Sequence, residues 1–246
     1  MTREPQCNEI ANTVASVYGG ARCKPSRKLD WLGNADAAKM EATTREYRDI
    51  SMRTWIDLSD QVRSQEEILR WAFKPSELIC TGAMFDGRWH IVVLTLDQTI
   101  VAGPNRQFIV PSPFSSYRGT TKDGRTTNKS DGQVRFRRFV VVEFDLRGFE
   151  WLKTLPLKQK LDYQARLHWA LSRRFPLALI VFSGSESLHG WYITRRPEQL
   201  MAEAVSIGGD PALWVPSQFT RMPEGRHANG NHQEVVYWKR GQLPRS

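Results

Sequence analysis

Two carboxylates separated by one residue, in Glu143-Phe144-Asp145, end an apolar β-branched run that begins at Phe139. Successive side chains on a strand point to opposite faces, so Glu143 and Asp145 share one face while Phe144 turns into the core. Positions i and i+2 lie roughly 6.5 to 7 Å apart on a strand, close enough for both acids to reach metal ions about 3.5 to 4 Å apart. Oxygen ligands of this kind suit Mg²⁺ or Mn²⁺, which commonly bring a substrate's phosphates with them. An isolated E-x-D is more often a strand end emerging into solvent, so the pair needs companions.

Companions follow downstream. Ser183-Gly184-Ser185-Glu186-Ser187-Leu188-His189 is a Gly-containing turn whose amides and hydroxyls can meet phosphate oxygens, with His189 placed to donate to the same anion. Glu186 sits badly there, since a neutral or basic residue is expected beside a triphosphate. A third acid, Asp210, comes just after Gly208-Gly209, and the stretch from Gln218 to Gly225 carries Arg221-Met222-Pro223-Glu224-Gly225.

The elements that must position these groups are legible in part. Ser64 and Glu67 mark a capped helix that Lys74-Pro75 stops. Strands are expected at 90–96 and 107–111, bounded by Asp86-Gly87 and Gly103-Pro104-Asn105. Leu157, Leu161, Ala165, His168, Leu171 and Phe175 recur at helical spacing and predict a helix over 157–174. It follows a strand at 136–145 and precedes strands at 177–182 and 188–193. Pro197 opens a second helix that ends near Gly208-Gly209, and Glu234 to Trp238 reads as a last strand. The order β-α-β-β-α-β is that of a split βαβ, or RRM-like, sandwich. The expected class is therefore α+β, with an irregular α/β module over 1–134 and an RRM-like catalytic palm over 135–246. That topology serves binding modules and polymerases alike, so the site has to choose.

At these residues the sequence resembles the archaeo-eukaryotic primase superfamily, in particular the primase-polymerases of phages and plasmids. Glu143-Phe144-Asp145 matches its first acidic motif, Ser183 to His189 its S-x-H-type second motif, and Asp210 its third. The Arg221-to-Gly225 core and the later Gln233 are similar to a region that follows the third motif. The resemblance covers about the second half of the chain. It implies a template-dependent nucleotidyltransferase in which Glu143, Asp145 and Asp210 hold two Mg²⁺ or Mn²⁺ ions. Ser183, Ser187 and His189 would grip a nucleoside triphosphate, with Arg221 as a phosphate or base clamp. Implied partners are a DNA template and primer, and a helicase in cis or trans.

Charge agrees with a polyanionic partner. The chain carries 35 Lys and Arg against 26 Asp and Glu, a net charge of +9. The surplus is uneven, with seven basic residues between Arg118 and Arg138 against Asp123 and Asp131. This stretch is read as a flexible loop in which Lys122, Arg125, Lys129, Arg135 and Arg137 follow a nucleic-acid backbone; a solvated connector is the plainer reading. No run approaches the ~18 apolar residues of a membrane helix, and the start of the chain lacks a signal peptide's apolar core, so a cytoplasmic protein with no membrane contact is expected. Cys7, Cys23 and Cys80 form no C-x-x-C pair and read as reduced thiols. His168 falls on an apolar helix face and reads as a core histidine. His227 and His232 bracket a Gly/Asn loop without further ligands. Trp214 and Trp238 remain candidates for base stacking. The alternative function is a noncatalytic RRM-like nucleic-acid-binding module or a replication initiator. A rolling-circle nickase is disfavoured because no His-x-His occurs.

Overall fold

The computed structural model describes residues 33–62, 64–144 and 149–242. Asp145 and the thiols Cys7 and Cys23 lie outside the described residues. The chain is an α+β protein with antiparallel sheets. No helix among the described residues is long and apolar enough to cross a membrane.

Three short helices open the described chain: α1 (Ala37–Glu46), α2 (Met52–Leu58) and α3 (Gln65–Ala72). Each starts on an oxygen that satisfies a first-turn amide. Asp36 accepts from Lys39, Ser51 and Thr54 form a reciprocal capping box, and Ser64 accepts from Glu67 at 3.2 Å. The Glu67 carboxylate also takes a bond from Arg240, tying α3 to the end of the chain.

The first sheet follows. Strands β1 (Leu78–Phe85) and β2 (Arg88–Thr95) form a hairpin closed at Asp86 and Gly87, with φ of 49° and 71°. Two positive φ values in a two-residue loop match the right-handed strand twist, which explains the Asp-Gly choice. Thr95 then caps α4 (Leu96–Ala102) through a box with Gln98. Strand β3 (Phe108–Ile109) pairs with β1, and β9 (Thr220–Arg221) pairs with β3, giving the order β2-β1-β3-β9. One edge of this sheet thus comes from late in the chain.

The basic stretch differs from the mobile loop expected. Strands β4 (Gly119–Thr120) and β5 (Thr126–Thr127) make a small hairpin, and Asn128 Nδ2 donates to the Ile91 carbonyl at 2.7 Å, docking it on the first sheet. Gln133 is buried, and Val134 bridges to Phe114. The last two arginines turn inward. Arg138 and Glu77 are 8% and 6% exposed, and Arg138 donates to the Ala72 carbonyl and to Glu77 Oε2, each at 2.6 Å.

The second sheet comprises β6 (Val140–Glu143), β7 (Leu177–Phe182), β8 (Leu188–Tyr192) and β12 (Val235–Trp238), in the order β12-β7-β8-β6. Both β6 and β7 are antiparallel to β8, so they are parallel to each other and flank it, which is the split βαβ arrangement. After β6 comes the single turn α5 (Glu150–Lys153), and α6 (Leu157–Ser172) makes the crossover; α7 (Pro197–Ser206) precedes the last strands. Two further short strands, β10 (Gly225–Arg226) and β11 (His232–Gln233), pair with each other just before β12.

Cross-strand register divides the residues of this sheet between its faces. Val142 and Gly190 share the face under α6, where a Cβ on Gly190 would come within 2.6 Å of the His168 ring. His168 is fully buried, its Nε2 at 3.2 Å from the Leu188 carbonyl and its Nδ1 at 3.0 Å from the Tyr192 hydroxyl, so it is a core histidine with a backbone partner. Val141, Glu143, His189 and Trp191 share the other face. There Trp191 meets Phe139, Phe139 meets Trp71 of α3, and Trp71 meets Trp238. One core cluster runs from Met40 to Trp238, so residues on both sides of position 134 bury a common interior.

Two outcomes follow from this packing. Arg138→Met leaves Glu77 as an uncompensated buried charge and should cost about 3–5 kcal/mol in urea unfolding. His168 is pulled from 6.5 to about 3, chiefly by burial, with the Leu188 bond opposing and the nearby His189 reinforcing. The unfolded chain therefore binds this proton first. The stabilising contribution is complete above the unfolded pKa and shrinks as pH falls from about 6.5 toward 3, at up to ~1.4 kcal/mol per pH unit. Between pH 7.5 and 5.5 the wild type should lose roughly 1 kcal/mol more than His168→Gln.

Candidate active site

Strand register creates the centre of the site. Pairing of β6 with β8 sets Glu143 directly opposite His189, and Glu143 Oε1 lies 3.7 Å from His189 Nε2. The start of β8 is held from the helix layer by Gln164, which accepts from the Leu188 amide at 2.8 Å and donates to the Glu186 carbonyl at 2.7 Å. Asp210 arrives by backbone pairing. Its amide donates to the Glu143 carbonyl at 2.8 Å, beside a Phe144–Gly209 bridge. Glycine is needed at 209, where a Cβ would fall 2.8 Å from the Ala204 backbone. The Asp210 carboxylate caps the following turn, Pro211–Trp214, by accepting from the Ala212 amide at 2.8 Å. The first and third acids foreseen in the sequence are thus joined through the end of one strand. Asp145 lies outside the described residues, and among those described no three His, Cys, Asp or Glu side chains gather in a metal-holding geometry.

The turn between β7 and β8 is built by Ser183. Its buried hydroxyl oxygen accepts from the amides of Ser185 and Ser187 at 3.2 and 3.1 Å, and its own amide donates to the Ser187 carbonyl. Gly184 has a φ of 78° and lies so close to the next loop that a Cβ would be 2.8 Å from the His232 carbonyl. Asn229 and Asn231 both donate to its carbonyl. Glu186 is exposed and faces Lys160 at 3.4 Å, so its charge is engaged on the outer side.

Ser187 Oγ lies 3.3 Å from His189 Nε2, and Thr220 Oγ1 lies 3.2 Å from His189 Nδ1. Burial lowers the His189 pKa from 6.5 to about 4; Glu143 opposes that shift and Arg221 adds to it. The ring is therefore neutral at pH 7, with one N–H to give. Ser187 and Glu143 both approach the same nitrogen, whereas a nucleophilic relay uses one on each. The arrangement instead sets hydroxyl, imidazole and the positive charge of Arg221 near the Glu143 carboxylate, while Asp210 reaches this strand end through its backbone amide and turns its carboxylate to the Ala212 amide. Thr220 escaped the sequence reading because a two-residue strand has no periodicity to reveal it; its place beside Arg221 was the available signal.

The remaining predicted residues separate by environment. Lys122, Arg125 and Arg135 are exposed, with Arg125 paired to Asp123 at 2.8 Å. Lys129 reaches over the Phe219 ring at 5.0 Å. Arg137 is partly buried, stacks 4.0 Å from the Trp214 ring and donates to the Trp214 carbonyl, which ties the strand leading into Glu143 to the turn that Asp210 caps. Trp238 is fully buried. Cys80 is a buried free thiol pushed up to about 12 by desolvation. His232 pairs with Glu224 at 3.2 Å, and His227 Nδ1 accepts from the Asn229 amide. A cavity of about 380 Å³ lies elsewhere, lined by Asp60, Glu224, His232, Glu234 and Val236 among others, and contains none of the residues predicted for the site. No family model, curated protein or solved structure matches the chain.

Proposed function

We propose that the chain is the catalytic unit of a template-dependent nucleotidyltransferase, a DNA primase or polymerase of a mobile element, as its resemblance to the archaeo-eukaryotic primases implies. The observation that carries this reading is the Glu143–His189 cross-strand pair at 3.7 Å, with Asp210 bonded to the same strand end. The split βαβ is a feature shared with RRM-like palms, although an RRM sheet sets its first strand in the middle beside the last, and here the first strand, β6, is at the edge. Its order, with the last strand beside β7, puts the acid-bearing edge strand β6 at the opposite side of the sheet from β12.

Glu143, Asp145 and Asp210 would hold Mg²⁺ or Mn²⁺, since carboxylate oxygens are the ligands these hard cations prefer. When bound, the ions supply the charge neutralisation and activated hydroxyl that in-line phosphoryl displacement requires. The chain's own groups do the rest. Neutral His189, fixed by Thr220 at one nitrogen, offers its ring N–H and Ser187 its hydroxyl to phosphate oxygens. Arg221, which follows Thr220 on β9 and stacks over Phe108, adds positive charge near enough to act on His189. Ser183 serves by shaping the turn that carries Ser187. A neutral imidazole beside Glu143 does not draw the carboxylate into a permanent ion pair, which leaves it available to a cation.

Lys122, Arg125, Lys129 and Arg135 would follow the template or primer backbone, while Arg137 acts as a tether. A helicase in cis or trans and a cytoplasmic setting complete the reading. The noncatalytic alternative predicts nucleic-acid binding that ignores divalent metal.

The test is incorporation of labelled nucleotides on a primed template with Mg²⁺ or Mn²⁺. Wild type should extend the primer, and Glu143→Gln or Asp145→Asn should reduce the rate on the order of 10²–10³-fold, the cost of losing one charge-stabilising group. Far-UV circular dichroism should be unchanged. Wild-type protein that binds primed template and nucleotide yet incorporates nothing with either metal would rule the reading out.

A further inference from the structure

The two faces of the first sheet are used differently. Ile79 and Ile109 join the main core with Ile68, Leu69 and Leu96, whereas Cys80, Val93 and Val110 form a small separate cluster. On this second face, register aligns Met84 with Trp89, Gly82 with Ile91 and Phe108, and Phe108 with Arg221. Phe219 lies across Gly82, where a Cβ would meet its ring at 2.8 Å. Glycine there lets the ring lie flat on the sheet. Phe219 in turn stacks on Trp89, with centroids 5.6 Å apart and planes 8° apart, and Trp89 touches Phe108 at 5.1 Å.

Cations stand at both ends of this aromatic row. The Lys129 ammonium is 5.0 Å from the Phe219 ring, and the Arg221 guanidinium is 4.9 Å from Phe108. Trp89 is only partly buried, and the hairpin carrying exposed Lys122 and Arg125 is docked beside it on Ile91. The row also begins at the site, because Phe219 precedes Thr220, the residue that holds His189.

Aromatic rings that stack bases beside cations that follow phosphates are how single strands are held without regard to sequence. A duplex keeps its base faces covered and cannot use such rings. We infer that this row is the track for single-stranded DNA of the template, with Trp89 stacking a base and Lys129 meeting the backbone. The inference rests on the nucleotidyltransferase reading and adds to it where the unpaired strand runs.

The experiment is fluorescence anisotropy of the full chain with labelled oligo(dT) and with a duplex of equal length, over a salt series. Trp89→Ala should bind oligo(dT) about ten-fold more weakly, within the range for one base–aromatic contact. Trp89→Phe should retain most of the affinity, and duplex binding should not change in either variant. Lys129→Gln should reduce the log–log salt slope by about 0.7, the loss of one single-strand phosphate contact. Calorimetric binding of Mn²⁺-ATP should be unaltered by any of the three. Oligo(dT) binding by Trp89→Ala equal to wild type, or an equal loss on duplex, overturns the inference. Should Trp89→Ala fail to fold, an unchanged salt slope in Lys129→Gln overturns it instead. The two proposals fail separately. A wild type that binds oligo(dT) through Trp89 but never incorporates nucleotide removes the reaction and leaves the surface; one that incorporates with Trp89→Ala binding normally does the reverse.

Discussion

The register between β6 and β8 is the constraint on which the rest depends. A slip of one residue would turn Glu143 to the opposite face, toward His168 and the helix layer, where a carboxylate has no partner. Several contacts keep that from happening. Gln164 fixes the first residue of β8, Gly190 permits the His168 ring to lie against the strand, and the Asp210 amide pins the last carbonyl of β6. Each is a hydrogen bond to the backbone or a packing contact. Together they place an acid and a neutral histidine side by side, and the chemical argument starts from that juxtaposition.

The N-terminal half has a structural part in the same arrangement. Through Trp71 and the Arg138–Glu77 pair it closes over the face of the second sheet that carries Glu143 and His189, leaving the site at the margin where β9 meets β8. Two consecutive arginines divide the work. Arg138 is buried against Glu77, while Arg137 reaches the other way to hold the turn after Asp210. A buried ion pair contributes little net stability but is costly to break, which makes this junction specific in geometry more than strong.

Local signals recovered the elements whose stability is local. Strand β7, the heptad-like face of α6 and the Ser64 cap were all legible because alternation, helical spacing and capping residues are short-range patterns. Strand β1 was missed because it is buried along most of its length, so Leu78 to Met84 shows no alternation, and Thr81 and Gly82 interrupt its apolar run. Of the candidate site, Glu143, Ser187 and His189 were legible and their side chains are neighbours, while Asp210 joins them through its backbone amide. Thr220 was not legible, since β9 exists only through pairing with β3 more than a hundred residues earlier. The structural duties of Arg137 and Ser183 were hidden for the same reason, as a side chain's type says what it can bond and not which long-range partner takes it. The basic stretch looked mobile from its Gly, Thr and Asn content, yet Asn128 and Gln133 dock it.

The central proposal is that Glu143, beside His189 and Ser187, and Asp210, bonded to the same strand end, form a divalent-cation-dependent triphosphate site. Titration of Mn²⁺ by electron paramagnetic resonance, with and without a nucleoside triphosphate, tests this most directly. The account predicts Mn²⁺ binding that the triphosphate strengthens and that Glu143→Gln abolishes in a folded protein. Triphosphate binding that proceeds equally well without metal, or Mn²⁺ binding unchanged in Glu143→Gln, would contradict it.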